Sequence, residues 1–421
     1  MASMRRIAAA SIIGTTLEYF DFAVYNSLAA LIFNRIFFPA YDPLTGTLLA
    51  FATFAVGYLA RPVGGVIFGR LGDRRGRRFV LMTTLVLMGL ATVLIGSLPS
   101  YQDAGIISPL LLVLLRFVQG AAVGGEWAGA VLLSFEHGAP DERGRNGAWA
   151  QMGPSLGTLL ATAFIAYITV TLSAADFQSW GWRIPFLASA GLIGFGLWLR
   201  SGVDETPLFE QLQARHALAP APLREVVTGH WRRLLVAGGA RIGADVMYSL
   251  LVVFTLTYLT TVRHESRVLA LATVCIGCAV HALAVPRFGA LSDHHGRRPV
   301  YAAGILFAVA WAFVYFPLLD SGAPLLIGLA VAAGFLVHAA MYGPQAAFIA
   351  EQFPTRVRYA GSTLAYTLVG ILGGGLAPLV FTVLLRDSGS TTAISGYLAG
   401  TLALSALALL AARETYRLPL D

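Results

Sequence analysis

Twelve stretches of about 20 residues, each poor in charge, follow one another along this chain, and that length and apolarity suit a helix that crosses a bilayer. They fall at roughly 10–33, 46–69, 79–98, 108–134, 147–172, 181–200, 233–261, 268–290, 299–319, 323–350, 359–385 and 392–412. In hydrocarbon every backbone N–H and C=O must be satisfied within the protein, so a long apolar run must be helical. Composition agrees: 57% of the 421 residues are hydrophobic and 12% are charged, against about 25% charged in soluble domains. A soluble enzyme, a disordered chain and a disulfide scaffold are all excluded. The expected fold is an all-α membrane protein.

Arginine places the chain in the membrane. All 29 basic residues are arginine. With the N-terminus in the cytoplasm, 21 of them fall on the inner side, among them the Arg70–Arg78 cluster, Arg143, Arg297 and Arg298. Five fall outside: Arg35, Arg183, Arg263, Arg267 and Arg386. Arg61, Arg116 and Arg241 lie within spans. This asymmetry puts both termini in the cytoplasm. It also explains the net charge of +7 without any nucleic-acid partner. The short basic start runs into Glu18 and Asp21, so it reads as a first transmembrane helix and not a cleavable signal. Cys275 and Cys278 sit in an apolar run and are expected to pack against helices or lipid, with no metal role.

The polar segment Ser201 to His230 divides the spans six and six. A bundle at 1–200, a cytoplasmic linker at 201–232 and a second bundle at 233–421 are expected. A repeat crosses this boundary. Gly69-Arg-Leu-Gly-Asp73-Arg-Arg-Gly76-Arg77-Arg78 follows span two, and Gly289-Ala-Leu-Ser-Asp293-His-His-Gly-Arg297-Arg298 follows span eight, 220 residues later. A weaker echo pairs Glu136, Pro140 and Arg143 with Glu351, Pro354 and Arg356. Duplicated six-helix halves are a transporter architecture, with the site near the midplane between them.

The pattern from Gly69 to Arg78 resembles the signature loop of the major facilitator superfamily, and the copy at Gly289 to Arg298 agrees except for His294. Further motifs resemble one branch, the metabolite:H⁺ symporters of shikimate, 2-oxoglutarate, citrate and proline/betaine. These are Glu18-Tyr-Phe-Asp21-Phe22, Arg61-Pro62-Val-Gly-Gly65 and Arg116-Phe-Val-Gln119-Gly120 with Glu126-Trp127. Trp182-Arg-Ile-Pro-Phe186, Glu205-Thr-Pro207 and Phe353-Pro-Thr-Arg356-Val-Arg358 complete the set, which covers essentially the whole chain. The resemblance implies two pseudo-symmetric six-helix bundles and alternating access, driven by the proton gradient with no cofactor.

Charge at membrane depth costs from about 2.5 kcal/mol upward, so each such residue needs a partner or a polar cavity. At 1.5 Å per residue Arg116 lies roughly 12 Å below the outer surface. It is the candidate to grip a substrate carboxylate in bidentate geometry, with a structural ion pair as the alternative; the resemblance implies that spans one and four line the cavity. Asp21 lies about 16 Å from the inner surface and shares a helix face with Glu18. A low-dielectric site raises a carboxylate's pKa and a nearby arginine lowers it again, which is the requirement for a switchable proton site. Asp21 is the favoured proton carrier and Glu18 the second; neutralising Arg116 or Arg61 is the competing role. Asp245, about 18 Å from the inner surface, stands four residues after Arg241. It is a third protonation candidate, or half of an intrahelical pair.

Tyr25 follows Asp21 by four residues and Gln119 follows Arg116 by three, so both can share those faces and hydrogen-bond a polar substrate, with interfacial packing as the alternative role of Tyr25. His281 and His338 read as isolated, each more typical of a hydrogen-bonded core residue. His338, with Tyr342 one turn on, is the better substrate contact, since the resemblance implies that span ten faces the cavity. Glu126 reads first as a gate or interhelical bond and second as a proton relay. The loop residues Gly69, Asp73, Gly76, Arg77, Arg78, Asp293 and Arg297 are assigned to gating. An aspartate near a helix N-terminus can meet its dipole, while the arginines meet acidic groups at cytoplasmic helix ends. Glycine runs at Gly64-Gly65, Gly124-Gly125 and Gly373-Gly374-Gly375 suit close helix approach. With no lysine, a Walker-type phosphate loop is impossible. No metal cluster or nucleophile constellation points to an enzyme. The expected activity is symport of a small polar metabolite, foremost an organic acid anion, by a functional monomer surrounded by lipid. A zwitterionic osmolyte or amino acid is the alternative cargo.

Overall fold

A computed structural model describes residues 4–75, 77–124, 127–137, 139, 141–201 and 222–418. Among the described residues, twelve helices follow the apolar stretches. They are α1 (Met4–Leu31), α2 (Pro43–Arg75), α3 (Arg77–Gly96), α4 (Ile107–Val123 and Trp127–His137), α5 (Arg143–Ala150 and Met152–Thr171) and α6 (Ile184–Ser201). The second set is α7 (Trp231–Ser249, running on through π-helical turns to Val262), α8 (Arg267–His295), α9 (Arg297–Asp320) and α10 (Pro324–Glu351). It ends with α11 (Thr355–Gly370 and Ala377–Ser388, joined by a π-turn at Ile371–Gly375) and α12 (Thr391–Ala411). Eight helices among the described residues are long and apolar enough to span a membrane, and Met82–Gly96 and Ile107–Val123 are shorter apolar ones. Pro62, Pro286, Pro317 and Pro344 sit inside helices, which neighbouring helices tolerate in a membrane bundle.

The internal repeat reappears as architecture. α2 packs on α4 as α8 packs on α10, and α3 packs on α6 as α9 packs on α12. The two bundles meet along α5 against α8 and along α2 against α11. The turn of the second motif is at Gly296, whose φ of +96° belongs to the region that only glycine enters freely. A Cβ there would also lie 2.8 Å from Glu414 Oε2.

Glycine sets how closely α2 and α4 cross. A Cβ on Gly64 would lie 1.7 Å from the Ala121 carbonyl oxygen, one on Gly120 2.0 Å from that of Gly57, and one on Gly124 2.0 Å from that of Arg61. Backbones in such contact leave no room for any side chain. The same packing brings Arg61 and Arg116 close to α1.

Helix ends differ modestly from the hydropathy reading. α8 continues to His295 where the apolar run suggested an end near 290, so Arg287 lies two turns inside the helix, on its exposed side. The polar segment between the halves contains a helix, Pro222–Gly229, which its charge had hidden; residues 202–221 lie outside the described set.

Candidate functional site

Arg116 is completely buried. Its guanidinium carbon lies 4.0 Å from the ring centroid of Tyr25 and 4.2 Å from that of Phe22. The aromatic faces offer cation–π attraction in place of hydration. Nη1 donates to Gln119 Oε1 at 2.5 Å, while Nε and Nη2 have no hydrogen-bond partner. The Tyr25 hydroxyl is turned away, to Thr53 on α2.

Asp21 and Arg116 are linked, but not as a direct pair. Gln119 Nε2 donates to Thr92 Oγ1 at 2.7 Å, and the Thr92 hydroxyl lies 3.2 Å from Asp21 Oδ2. Thus a relay of Arg116, Gln119, Thr92 and Asp21 joins α4, α3 and α1. Glu18 is buried one turn towards the cytoplasm on α1. Thr92 is one of several hydroxyl residues in its span, with Thr83 and Thr84. Its hydroxyl also reaches the Met88 carbonyl of its own helix at 2.9 Å, so nothing in its sequence context marks the contacts it makes with Gln119 and Asp21.

Further along the bundle interface, Arg241 and Asp245 form the intrahelical pair at 2.9 Å, both buried. Arg241 also donates to the Tyr366 carbonyl and lies 3.5 Å over the Tyr366 ring. On its other side Tyr366 stacks on Trp127 at 3.9 Å, and its hydroxyl meets that of Tyr19 at 2.5 Å. Tyr366 therefore ties α11 to α1 and α4 across the interface. The cleft remaining there, lined by Arg61, Trp127, Thr363 and Tyr366, holds about 10 Å³, room for about one water.

His281 and His338 are not isolated. His281 Nε2 lies 2.7 Å from His338 Nδ1, with ring centroids 4.9 Å apart. Beyond them His338 Nε2 reaches the Ala244 carbonyl at 3.1 Å, and His281 Nδ1 reaches the Ser155 hydroxyl. A carbonyl only accepts, so His338 Nε2 carries a proton and, in the neutral ring, Nδ1 accepts from His281. His281 Nδ1 in turn accepts from Ser155. The reading of two lone histidines fails because α8 and α10 cross at these residues, 57 positions apart in sequence. Tyr342 packs against both rings, and Tyr248 stacks on Tyr342.

At the cytoplasmic end Asp293 accepts hydrogen bonds from the backbone N–H groups of Gly144, at 2.7 Å, and Arg145, at 2.9 Å. A carboxylate of the second half thereby caps the N-terminus of α5 in the first, where the helix dipole favours negative charge. Arg297 pairs with Asp293 at 2.7 Å and with Glu351 at 3.0 Å, all nearly inaccessible. The chain end crosses the same face: Glu414 accepts from the backbone N–H groups of Arg297 and Arg298, and Arg143 donates to the Leu418 carbonyl. In the first motif, Gly69, Asp73, Arg77 and Arg78 fall at the end of α2 and the start of α3. Gly76 and Glu126 lie outside the described residues. At the outer end the Thr257 hydroxyl bonds the Ala30 carbonyl across the halves. The halves thus touch at outer, middle and inner levels.

The sequence profile of the Major Facilitator Superfamily matches residues 11–378. The chain is 37% identical to the inner membrane metabolite transport protein YhjE of Escherichia coli K12, over 98% of this chain and 95% of that one. It is also 37% identical to the shikimate transporter of the same organism, covering 99% and 96%. With the proline/betaine transporter of Salmonella typhimurium it shares 34%, covering 99% and 85%. Among solved structures, the proton:xylose symporter XylE bound to 6-bromo-6-deoxy-D-glucose superposes with a TM-score of 0.75 at 18% identity, covering 97% and 94%. That likeness concerns the fold.

Proposed function

The chain belongs to the major facilitator superfamily, in the branch that holds shikimate and proline/betaine transporters, and on that premise we propose that it is a proton-coupled symporter importing a small organic acid anion across a bacterial inner membrane. The observation that carries the reading is Arg116: a fully buried guanidinium with two nitrogens lacking hydrogen-bond partners. A buried donor left unpaired costs about 1–3 kcal/mol, more when charged. A carboxylate would satisfy both nitrogens at once in bidentate geometry. Gln119 would steady the guanidinium, and the Tyr25 and Phe22 rings would exclude water from it.

Asp21 is the proposed proton carrier. It communicates with Arg116 through Thr92 and Gln119, so an anion that draws the guanidinium out of this relay alters the hydrogen bonding felt by the carboxylate. Substrate and proton together would offset the charges that otherwise oppose closure, and the halves would then rock about the cytoplasmic and outer contacts. Both termini lie in the cytoplasm, and a monomer contains the whole pathway.

A screen of thermal stability tests this. Mono-, di- and tricarboxylates, shikimate, proline and glycine betaine are each added to purified protein at two pH values. A ligand of the folded state raises apparent stability by mass action, about 2.7 kcal/mol at a hundredfold excess over Kd. Stabilisation by carboxylates that disappears in Arg116→Ala is the expected result; stabilisation retained in that variant removes the assignment. A zwitterion is the second reading, favoured by the buried Arg241–Asp245 pair, whose two charges match an amino acid's. Response to proline or betaine alone would select it.

A further inference from the structure

The chain Ser155–His281–His338–Ala244 is a buried hydrogen-bonded line, built around two titratable rings, that the proposed cycle leaves unused. Its geometry is directional: Ser155 donates to His281, His281 to His338, and His338 to a carbonyl. Three of its members belong to the second half, on α8, α10 and α7, and the fourth, Ser155, belongs to α5 of the first. The line therefore crosses the seam at which α5 packs on α8.

That crossing gives the pair a dependence on conformation. While the halves touch, the only free acceptor of the line, His281 Nδ1, is capped by the Ser155 hydroxyl. When α5 and α8 part, Ser155 leaves with its half and Nδ1 becomes an open imidazole nitrogen at the seam. A proton arriving from water there makes His281 a double donor without disturbing its bond to His338. The two rings, 4.9 Å apart by centroid, would repel strongly if both were charged, so one proton fills the site.

The groups that face the pair are few. α5 contributes Ser155 and α7 contributes Tyr248, whose ring lies 5.3 Å from His338. α10 contributes Tyr342, and α8 places Cys278 one turn before His281. Asp245 follows Ala244 but is engaged by Arg241. We propose that His281 and His338 form a second proton-binding site of the carrier, on its C-terminal half, which holds one shared proton and is uncapped when Ser155 withdraws.

This rests on the proton-coupled reading of the carrier, yet it can be tested without any cargo. Protons bound by the purified full chain are counted by difference titration between about pH 8 and about pH 5, the range in which histidine responds. Wild type is compared with the double variant His281→Gln/His338→Gln, glutamine being chosen to keep hydrogen bonding at the crossing, and thermal melts confirm that the variant is folded. The expected result is one proton fewer in the variant. No difference would mean that the pair is a structural clasp, and two fewer would mean independent histidines; either overturns the shared site. Should the double variant not fold, ¹⁵N-histidine spectra of wild type over the same range decide instead. A new Nδ1–H signal on one ring supports the site, and two unchanging neutral rings refute it. Failure here leaves the wider reading standing, since that fails only if wild-type uptake ignores the pH gradient.

Discussion

Gly144 and Asp293, 149 residues apart, are joined by a 2.7 Å hydrogen bond from the glycine N–H to a carboxylate oxygen. The bond ties the start of α5 to the end of α8, and the same carboxylate holds Arg297. One side chain thus fastens the two halves and neutralises a buried arginine that also needs Glu351. Gly144 has to be glycine for this approach, since a Cβ would lie 2.3 Å from Arg297 Nη1 and 2.5 Å from the Gly289 carbonyl oxygen.

Removing the charge should loosen the cytoplasmic side. Asp293→Asn keeps a similar shape but loses the attraction to the helix dipole, typically about 0.3–1 kcal/mol. It also leaves Arg297 with Glu351 as its one carboxylate partner, and breaking a buried pair costs about 3–5 kcal/mol. The measurement is alkylation of a cysteine at Ala346, which is buried opposite Gly147, in a background without Cys275 and Cys278. Faster labelling in Asp293→Asn is expected; an unchanged rate would remove the gate assignment.

Arginine at 116 should not be replaceable by lysine. Lys offers a compact point charge and cannot present two parallel donors. Arg116→Lys is expected to weaken carboxylate binding at least tenfold, about 1.4 kcal/mol, when stabilisation is followed over a ligand titration. Equal affinity in the two proteins would show that charge alone suffices and would argue against a bidentate grip.

Coupling is probed at Asp21. Asp21→Asn should retain exchange of a carboxylate across proteoliposomes but lose accumulation driven by an imposed pH gradient. Thr92→Val should lie between the two, because it cuts the relay without touching either charge. Gradient-driven accumulation at wild-type levels in Asp21→Asn would move the proton role to Glu18, Asp245 or the His281–His338 pair.

Glycines at helix crossings and glycines on the open face should behave oppositely. Gly64→Ala places a methyl group 1.7 Å from a carbonyl oxygen, far beyond the overpacking that already costs about 1–3 kcal/mol. Gly396 on α12 has nothing within 4 Å, so Gly396→Ala should gain about 0.4–1 kcal/mol through the unfolded chain. Melting temperatures in detergent should fall for the first and rise or hold for the second. The reverse order would contradict the α2–α4 crossing.

The carboxylate of Glu414 caps α9 through two backbone N–H groups. Glu414→Ala should cost about 0.5–2 kcal/mol, the usual range for a lost helix cap, and should lower the melting temperature accordingly. No change in melting would show that solvent replaces the cap at no cost.

Much of the molecule could be read from its residues. Charge-free runs located the helices because hydrocarbon penalises any other backbone arrangement. The repeat around Asp73 and Asp293 located two like halves, and the φ of Gly296 shows why that motif keeps its glycine. The Arg241–Asp245 pair followed from a spacing of four on one helix. Contacts between helices could not be read in this way. Thr92, Tyr366 and Ser155 carry no local signal, yet each bridges elements far apart in the chain. His281 and His338 each look like ordinary core histidines until α8 and α10 cross.

Sequence alone determined the solvent, the number and order of helices, their orientation and the family. All of these depend on local apolarity, charge asymmetry or motif spacing. Only the tertiary structure decided which polar groups share a partner. In a bundle that choice rests on helix crossings a few ångströms wide, set by where glycine lets backbones touch. It placed Gln119 and Thr92 between Arg116 and Asp21, seated Asp293 on the neighbouring half, and turned two separate histidines into one hydrogen-bonded pair.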